Sequence, residues 1–165
     1  MFNVGDFVVH NGHGLCSILE ITHNDSLNTD FYKLQTNHNK MTIMMPVDKA
    51  PLFLRPMLTK KTILDALEIS VSYSDDYVKD NKERKVVFHD LLTSNDITDT
   101  IKLLKMLYHL SSDKKLEKKS LGSFDTQFLQ QAERKLFNEV EISCGLSRTE
   151  VQSLIFSYLK SQYAF

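Results

Sequence analysis

All three prolines of this 165-residue chain, Pro46, Pro51 and Pro56, fall within eleven residues. Proline fixes its own φ, lacks an amide donor and pushes the preceding residue toward extended backbone, so no long helix runs through this segment. The segment therefore marks a boundary near residues 55–60, and the periodicity of the chain differs on its two sides. The two modules implied are 1–58 and 59–165.

Ahead of the boundary the pattern is β. Phe7-Val8-Val9-His10 is a short β-prone run closed by the turn Asn11-Gly12-His13-Gly14. Leu15 to Ile21 resumes it, with Cys16, Ile18 and Glu20 expected on one face and Leu15, Ser17, Leu19 and Ile21 on the other. Asn24 to Asp30 reads as a polar loop. Phe31 to Leu34 then pairs with Met41 to Met45 across the connection Thr36 to Lys40. Several short strands in so few residues predict a small, strongly curved sheet or an SH3-like β-barrel.

Beyond the boundary the period becomes helical, so the fold class is α+β with an all-helical second module. Ile97, Ile101, Leu104, Leu107 and Tyr108 form one stripe behind Asp96, a capping residue. Phe124, Phe128, Ala132, Leu136 and Val140 recur every fourth residue through a long helix that Gly145 would stop. Ser147-Arg148-Thr149-Glu150 is a capping box before Val151, Leu154, Ile155, Tyr158 and Leu159. Shorter helices are expected over Thr62 to Ser70 and Lys82 to Leu92. A barrel of this size is marginal on its own. It is expected to lean on the first helix of the second module through Leu52, Phe53 and Leu54.

Composition narrows the function. Hydrophobic residues are 42% and charged residues 25%, which excludes a globally disordered chain. With 20 Lys+Arg against 21 Asp+Glu the net charge is −1, so any contact with nucleic acid must come from a local patch. Two distant cysteines, Cys16 and Cys144, point to a reducing, cytoplasmic setting, and no signal peptide or membrane span is expected.

Catalytic signatures are missing. No phosphate-cradling, zinc-protease or esterase motif occurs, and Asp75-Asp76 sits in a Ser/Tyr-rich stretch typical of a solvated loop. His10, His13 and Cys16 form an H-x2-H-x2-C array that is either a partial metal site or a histidine turn beside the sheet, and no fourth ligand is evident. The chain is expected to be no enzyme, with no cofactor, no metal and no small-molecule substrate.

Two surfaces stand out. From Lys102 to Lys119 there are six lysines against Asp113 and Glu117, an excess of four positive charges. Lys79, Lys82, Arg84 and Lys85 add an excess of two over Asp80 and Glu83. These runs are either a solvated face or a phosphate-tracking surface with steep salt dependence. The strand Met41 to Met45 is the second surface, with Thr42 and Met44 either on ordinary sheet surface or at an edge offered to another protein.

The series Phe2-x-Val4-Gly5-Asp6-x-Val8-Val9-His10, His13-Gly14 and Met41-x-Ile43-Met44-Met45-Pro46-Val47-Asp48 resembles the CarD-type bacterial transcription regulators. It is also similar to the RNA-polymerase-interaction module of the transcription-repair coupling factor. In the second half, Thr93-Ser94-Asn95-Asp96 and the pattern from Leu121 through Glu139 resemble the same family more faintly. The resemblance implies a Tudor-like first module that docks on the RNA polymerase β subunit by strand-edge pairing, through Met41, Thr42, Ile43, Met44 and Met45 with Tyr32 and Leu34 on the neighbouring strand. It implies that the helical module meets promoter DNA without reading its sequence, through Asn81, Lys82, Arg84, Lys85, Lys114, Lys115, Lys118 and Lys119, and so alters open-complex lifetime. The chain departs from the family at several places: of an arginine pair only Arg84 remains, with Glu83 in the other place, Cys16 stands for a glycine, and Met44 stands where some members carry a basic residue. The family's wedge tryptophan corresponds to Asn81, and this chain has no Trp. Tyr77 and Phe88 are the aromatic residues nearest that position. A family-derived alternative is a polymerase-binding adaptor without DNA contact.

Overall fold

The computed structural model describes residues 1–159; the last six residues of the module expected over 59–165 lie outside the described residues. Strands β1 (Phe7–His10), β2 (Gly14–Asn24), β3 (Thr29–Thr36), β4 (Thr42–Pro46) and β5 (Leu54–Pro56) form one antiparallel sheet in the order β4-β3-β2-β1-β5. The sheet is open, because β4 and β5 lie at opposite ends and do not pair. The barrel expected for residues 1–58 is thus corrected to an unclosed five-stranded sheet, within the expected α+β class. Its two ends are joined by the short helix α1 (Ala50–Phe53), with Pro51 in its first turn, and β5 is only three residues long before Pro56 ends it. So brief a strand extends the pairing of β1 but provides no second ladder to close the sheet.

One face of the sheet buries Val8, Cys16, Ile18, Tyr32, Leu34 and Met45 together with Ala50 and Leu54. Strict alternation along β2 fails at a bulge between Ile18 and Glu20: Ile18 pairs with Leu34, but Glu20 pairs with the next residue back, Lys33. The extra residue, Leu19, flips the phase of everything after it. Glu20 therefore leaves the face of Cys16 and Ile18, where simple alternation had placed it, and lies 3.5 Å from Lys33.

The helical half contains α2 (Lys60–Ser70), α3 (Asn81–Thr93), α4 (Ile97–Leu116), α5 (Ser123–Cys144) and α6 (Arg148–Leu159). Its ends follow the local chemistry. Asp96 Oδ1 accepts from the Thr98 amide at 2.9 Å and starts α4. Gly145 ends α5 at φ 65°, a left-handed conformation that glycine adopts without a Cβ penalty. Ser147 and Glu150 cap α6 reciprocally, each accepting from the other's amide. The stripes Ile97-Ile101-Leu104-Leu107-Tyr108 and Phe128-Ala132-Leu136-Val140 meet in a single core with Ile63, Leu67, Phe88, Val151 and Ile155. Each fully buried aliphatic or aromatic side chain there contributes about 1.5–3 kcal/mol.

The sheet leans on α5, not on the first helix of the helical half. Leu52 and Phe53, expected at that contact, remain partly or largely exposed, and of the three only Leu54 joins the sheet core. The contact is instead polar and buried. Lys135 of α5 donates to the carbonyls of Asn11 (3.1 Å), Leu92 (2.6 Å) and Ser94 (2.8 Å), tying the β1–β2 turn to the end of α3. One turn on, Glu139 accepts from both ends of the Arg55 guanidinium and from the Leu58 amide. A charge taken out of water is tolerated only when it is hydrogen-bonded; Lys135 meets three carbonyls and Glu139 three donors, while the Arg55 Nε is buried without a partner among the described residues.

Candidate interaction surfaces

Strand β4 is a terminal strand, so one of its two backbone edges has no partner strand among the described residues. Which amides face outward follows from ladder parity. Val47 donates its amide to Asp30 O, and Thr36 donates to Met41 O. In an antiparallel pair, hydrogen-bonded and non-hydrogen-bonded positions alternate. Residues 41, 43, 45 and 47 therefore turn their amides and carbonyls toward β3, while Thr42 and Met44 turn theirs away. Both side chains are exposed as well, Met44 by 50%. Pro46, with no amide hydrogen, ends the strand and limits the open rim to a few residues.

The residues assigned to polymerase contact by resemblance thus separate into two groups. Tyr32 and Leu34 are fully buried, and the Tyr32 hydroxyl accepts from the Phe2 amide at 2.9 Å, so their side chains hold β3 in place. Met45 is buried and Ile43 packs at the margin of the same core. Met41 is partly exposed at the hairpin end, where its amide bonds Thr36 Oγ1 at 2.9 Å. Thr42 and Met44 alone among these residues present both backbone and side chain outward.

The helical half has a cleft of about 860 Å³ between the start of α3, the end of α4 and the start of α5. It brings together Asn81, Arg84, Lys85 and Lys114 from the residues assigned to DNA, and adds Tyr77, Lys79 and Phe124. Lys82, Lys115, Lys118 and Lys119 are exposed outside its lining.

Arg84 is not a free cation. Its Nε and Nη2 meet Asp125 Oδ1 and Oδ2 at 3.1 and 3.0 Å; Nη2 also reaches Asn81 Oδ1 at 2.7 Å, and Nη1 reaches the carbonyls of Val78 and Lys79. A guanidinium has five N–H donors, and these five bonds use them all. With the residue only 8% exposed, Arg84 is a fastener between α3, α5 and the loop before α3, and offers no donor to a phosphate. That corrects its placement among the DNA-contacting residues. Asn81, expected from the resemblance at the wedge position, spends its side-chain carbonyl on the same clasp.

Other members of the basic runs are similarly occupied. Lys105 is buried and donates to the carbonyls of Ser70, Val71 and Tyr73 at the end of α2, and burial lowers its pKa. Lys114 and Lys119 flank Glu117 at 3.5 and 3.2 Å. Lys85 lies 4.6 Å over the Phe124 ring, a cation–π contact. Of the two aromatic residues near the wedge position, Phe88 is fully buried in the core. Tyr77 lines the cleft, donates to Asp113 Oδ2 at 2.8 Å, and has its hydroxyl pKa pushed up to about 12, first by burial and then by that carboxylate.

The histidine array is a turn device. His10 Nδ1 accepts from the amides of Gly12 and His13 at 3.0 and 3.2 Å, closing the β1–β2 turn. Burial, then the nearby His13 and Lys135, lower its pKa to about 4, which keeps the accepting nitrogen unprotonated at neutral pH. Burial raises the Cys16 thiol to about 12. Among the described residues, no three His, Cys, Asp or Glu side chains are arranged to hold a metal ion. Nor is any described helix long and apolar enough to cross a membrane.

Lys79 and Phe124 lie outside the contacts that the resemblance implies. Lys79 was visible only as one member of a charge run, and Phe124 shares the apolar stripe of α5. Their meeting depends on the packing of α3 against α5, for which neither segment carries a local signal.

Residues 2–58 match the family model described as the CarD-like/TRCF RID domain. The match takes in the whole sheet, through β5 and the residues leading to α2. No curated protein matches the chain.

Proposed function

Because residues 2–58 form a CarD-like, RNA-polymerase-interacting module, we propose that this protein is a non-enzymatic transcription regulator that docks on the polymerase β subunit through the open rim of β4. The observation that carries this reading is the pair of outward backbone amides at Thr42 and Met44 on a terminal strand. A strand added there would gain main-chain hydrogen bonds from both residues, with the Met44 side chain as an adaptable apolar contact. Natural proteins protect exposed strand edges, so an edge ending in Pro46 and otherwise open fits one reserved for a partner. Amide exchange of the full chain with and without polymerase tests this: protection at Thr42 and Met44 on complex formation is expected, and unchanged exchange at both would refute edge pairing.

The junction of Lys135, Glu139 and Arg55 would then carry the helical half into a set position relative to polymerase. In this reading Lys79, Lys82 and Lys85 lie near promoter phosphates and bias the lifetime of the open complex, by binding open and closed promoter states unequally. A second reading is favoured by the saturation of Arg84 and the absence of Trp: an adaptor that binds polymerase and has no useful DNA contact. Fluorescence anisotropy with a forked promoter fragment at two salt concentrations separates them. Salt-sensitive binding lost on combined Lys79→Ala, Lys82→Ala and Lys85→Ala substitution selects the DNA-contacting regulator; absence of binding selects the adaptor.

A further inference from the structure

The cleft between α3, α4 and α5 has an unequal balance of charge partners. Two of its three carboxylates are ion-paired, Asp125 by the Arg84 guanidinium and Glu117 by Lys114 and Lys119, while Asp113 accepts from the neutral Tyr77 hydroxyl and lies 3.6 Å from His109. Lys79 and Lys85 have no carboxylate within ion-pair distance among the described residues, and Lys85 is held over Phe124 rather than beside an acid. The lining cations Lys79, Arg84, Lys85 and Lys114 outnumber its carboxylates by one, and Tyr77 and Phe124 line the same concave wall, with Lys85 over the Phe124 ring. Gly122, Ser123, Phe124 and Asp125 at the start of α5 line the same cleft, and Gly122 supplies no side-chain cap. About 860 Å³ lies within the range of small-ligand sites and is too confined for a duplex.

We propose that this cleft binds a nucleotide-class ligand, a small molecule that joins an oligophosphate to an aromatic base. Lys79 and Lys85 contact the phosphates, and Phe124 or Tyr77 lies against the base. Arg84 and Asp125 form the rigid floor and touch no phosphate. The ligand is bound rather than turned over, and its occupancy reports on the helical half whether or not the β module is engaged by polymerase. The inference does not depend on docking through β4, but it competes with the promoter-phosphate reading for Lys79 and Lys85, and the DNA arm below separates the two.

Isothermal titration of the full chain with ATP, GTP and inorganic pyrophosphate at physiological salt tests it. The expected result is saturable one-to-one binding of at least one nucleoside triphosphate, tighter than pyrophosphate. Affinity should fall tenfold or more in the Lys79→Ala, Lys85→Ala double variant, whose thermal midpoint stays near that of the parent. Lys33→Ala, on the sheet, should leave affinity unchanged. Three outcomes would overturn the proposal: no saturable binding of any of the probes; binding that the double variant retains; or pyrophosphate binding as tightly as the triphosphates, which would mean an anion patch without a base site. A separate arm uses a forked DNA fragment. DNA binding lost in the double variant without any nucleotide binding assigns the lysines to a nucleic-acid backbone and also overturns it.

Discussion

Arg55 and Glu139, 84 residues apart, form a two-pronged ion pair across the junction of sheet and helices, with Nη1–Oε1 at 2.6 Å and Nη2–Oε2 at 2.7 Å. Glu139 is essentially inaccessible to solvent and also accepts from the Leu58 amide. Three donors from one short segment thus converge on one carboxylate of α5. Removing one partner of a buried pair leaves the other charge uncompensated, which costs about 3–5 kcal/mol. Glu139→Ala should therefore lower the urea midpoint strongly. The double variant Arg55→Met, Glu139→Met should recover much of that loss, since neither charge then remains buried. A Glu139→Ala protein as stable as the parent would contradict the junction described above.

Arg84 gives a second expectation, because its surroundings make it structural. Arg84→Met strands Asp125 and frees the carbonyls of Val78 and Lys79, and should destabilise the chain by about 3–5 kcal/mol. Arg84→Lys should restore only part of this, since three ammonium donors cannot meet five acceptor positions. Chemical denaturation measures both. A normal unfolding curve for Arg84→Met would show that the clasp does not carry the load assigned to it.

The His10 turn predicts an acid-sensitive fold. Its folded pKa, about 4, lies below the ordinary 6.5, so the unfolded chain takes up the proton first as pH falls. The stabilisation is complete above pH 6.5 and is lost progressively between 6.5 and 4, by about 3 kcal/mol at most on the scale of 1.4 kcal/mol per pKa unit. His10→Asn keeps a side-chain acceptor for the Gly12 and His13 amides but does not titrate. Thermal midpoints between pH 6.5 and 5, above the range where most carboxylates protonate, should fall for the parent and stay flatter for His10→Asn. Parallel slopes would refute the assignment.

What the sequence makes legible follows from how local each signal is. The caps at Asp96, Gly145 and Ser147 and the apolar stripes of α4 and α5 act within a few residues, and the helices lie where those signals put them. The β3–β4 hairpin is equally local, with Phe31 opposite Pro46 and Leu34 opposite Ile43. Closure of the sheet is not local: the number of short strands resembles a barrel, but the short reach of β5 keeps it open. The bulge at Leu19 has no marker residue, and it undoes simple alternation. Buried cations are the largest departure. Lys105 and Arg84 read as surface charge because a cation in a charged run looks the same whether it meets water or carbonyls, and Lys135, outside those runs, carries no signal. The carbonyls around the two lysines come from segments far away in sequence, so only the folded chain shows that Lys105 finishes α2 and Lys135 fastens the sheet to α5.

The docking rim yields the most direct test. The Met44 amide points away from β3, so Met44→Pro removes a donor that the sheet itself does not use, at an edge position where proline is tolerated. Met44→Ala removes the side chain and keeps the donor. Binding of the full chain to RNA polymerase, measured by surface-immobilised titration, should fall at least tenfold for Met44→Pro and less for Met44→Ala, while the far-ultraviolet circular dichroism and melting temperature of both stay close to the parent. Parent-like affinity in a folded Met44→Pro protein would contradict docking through β4.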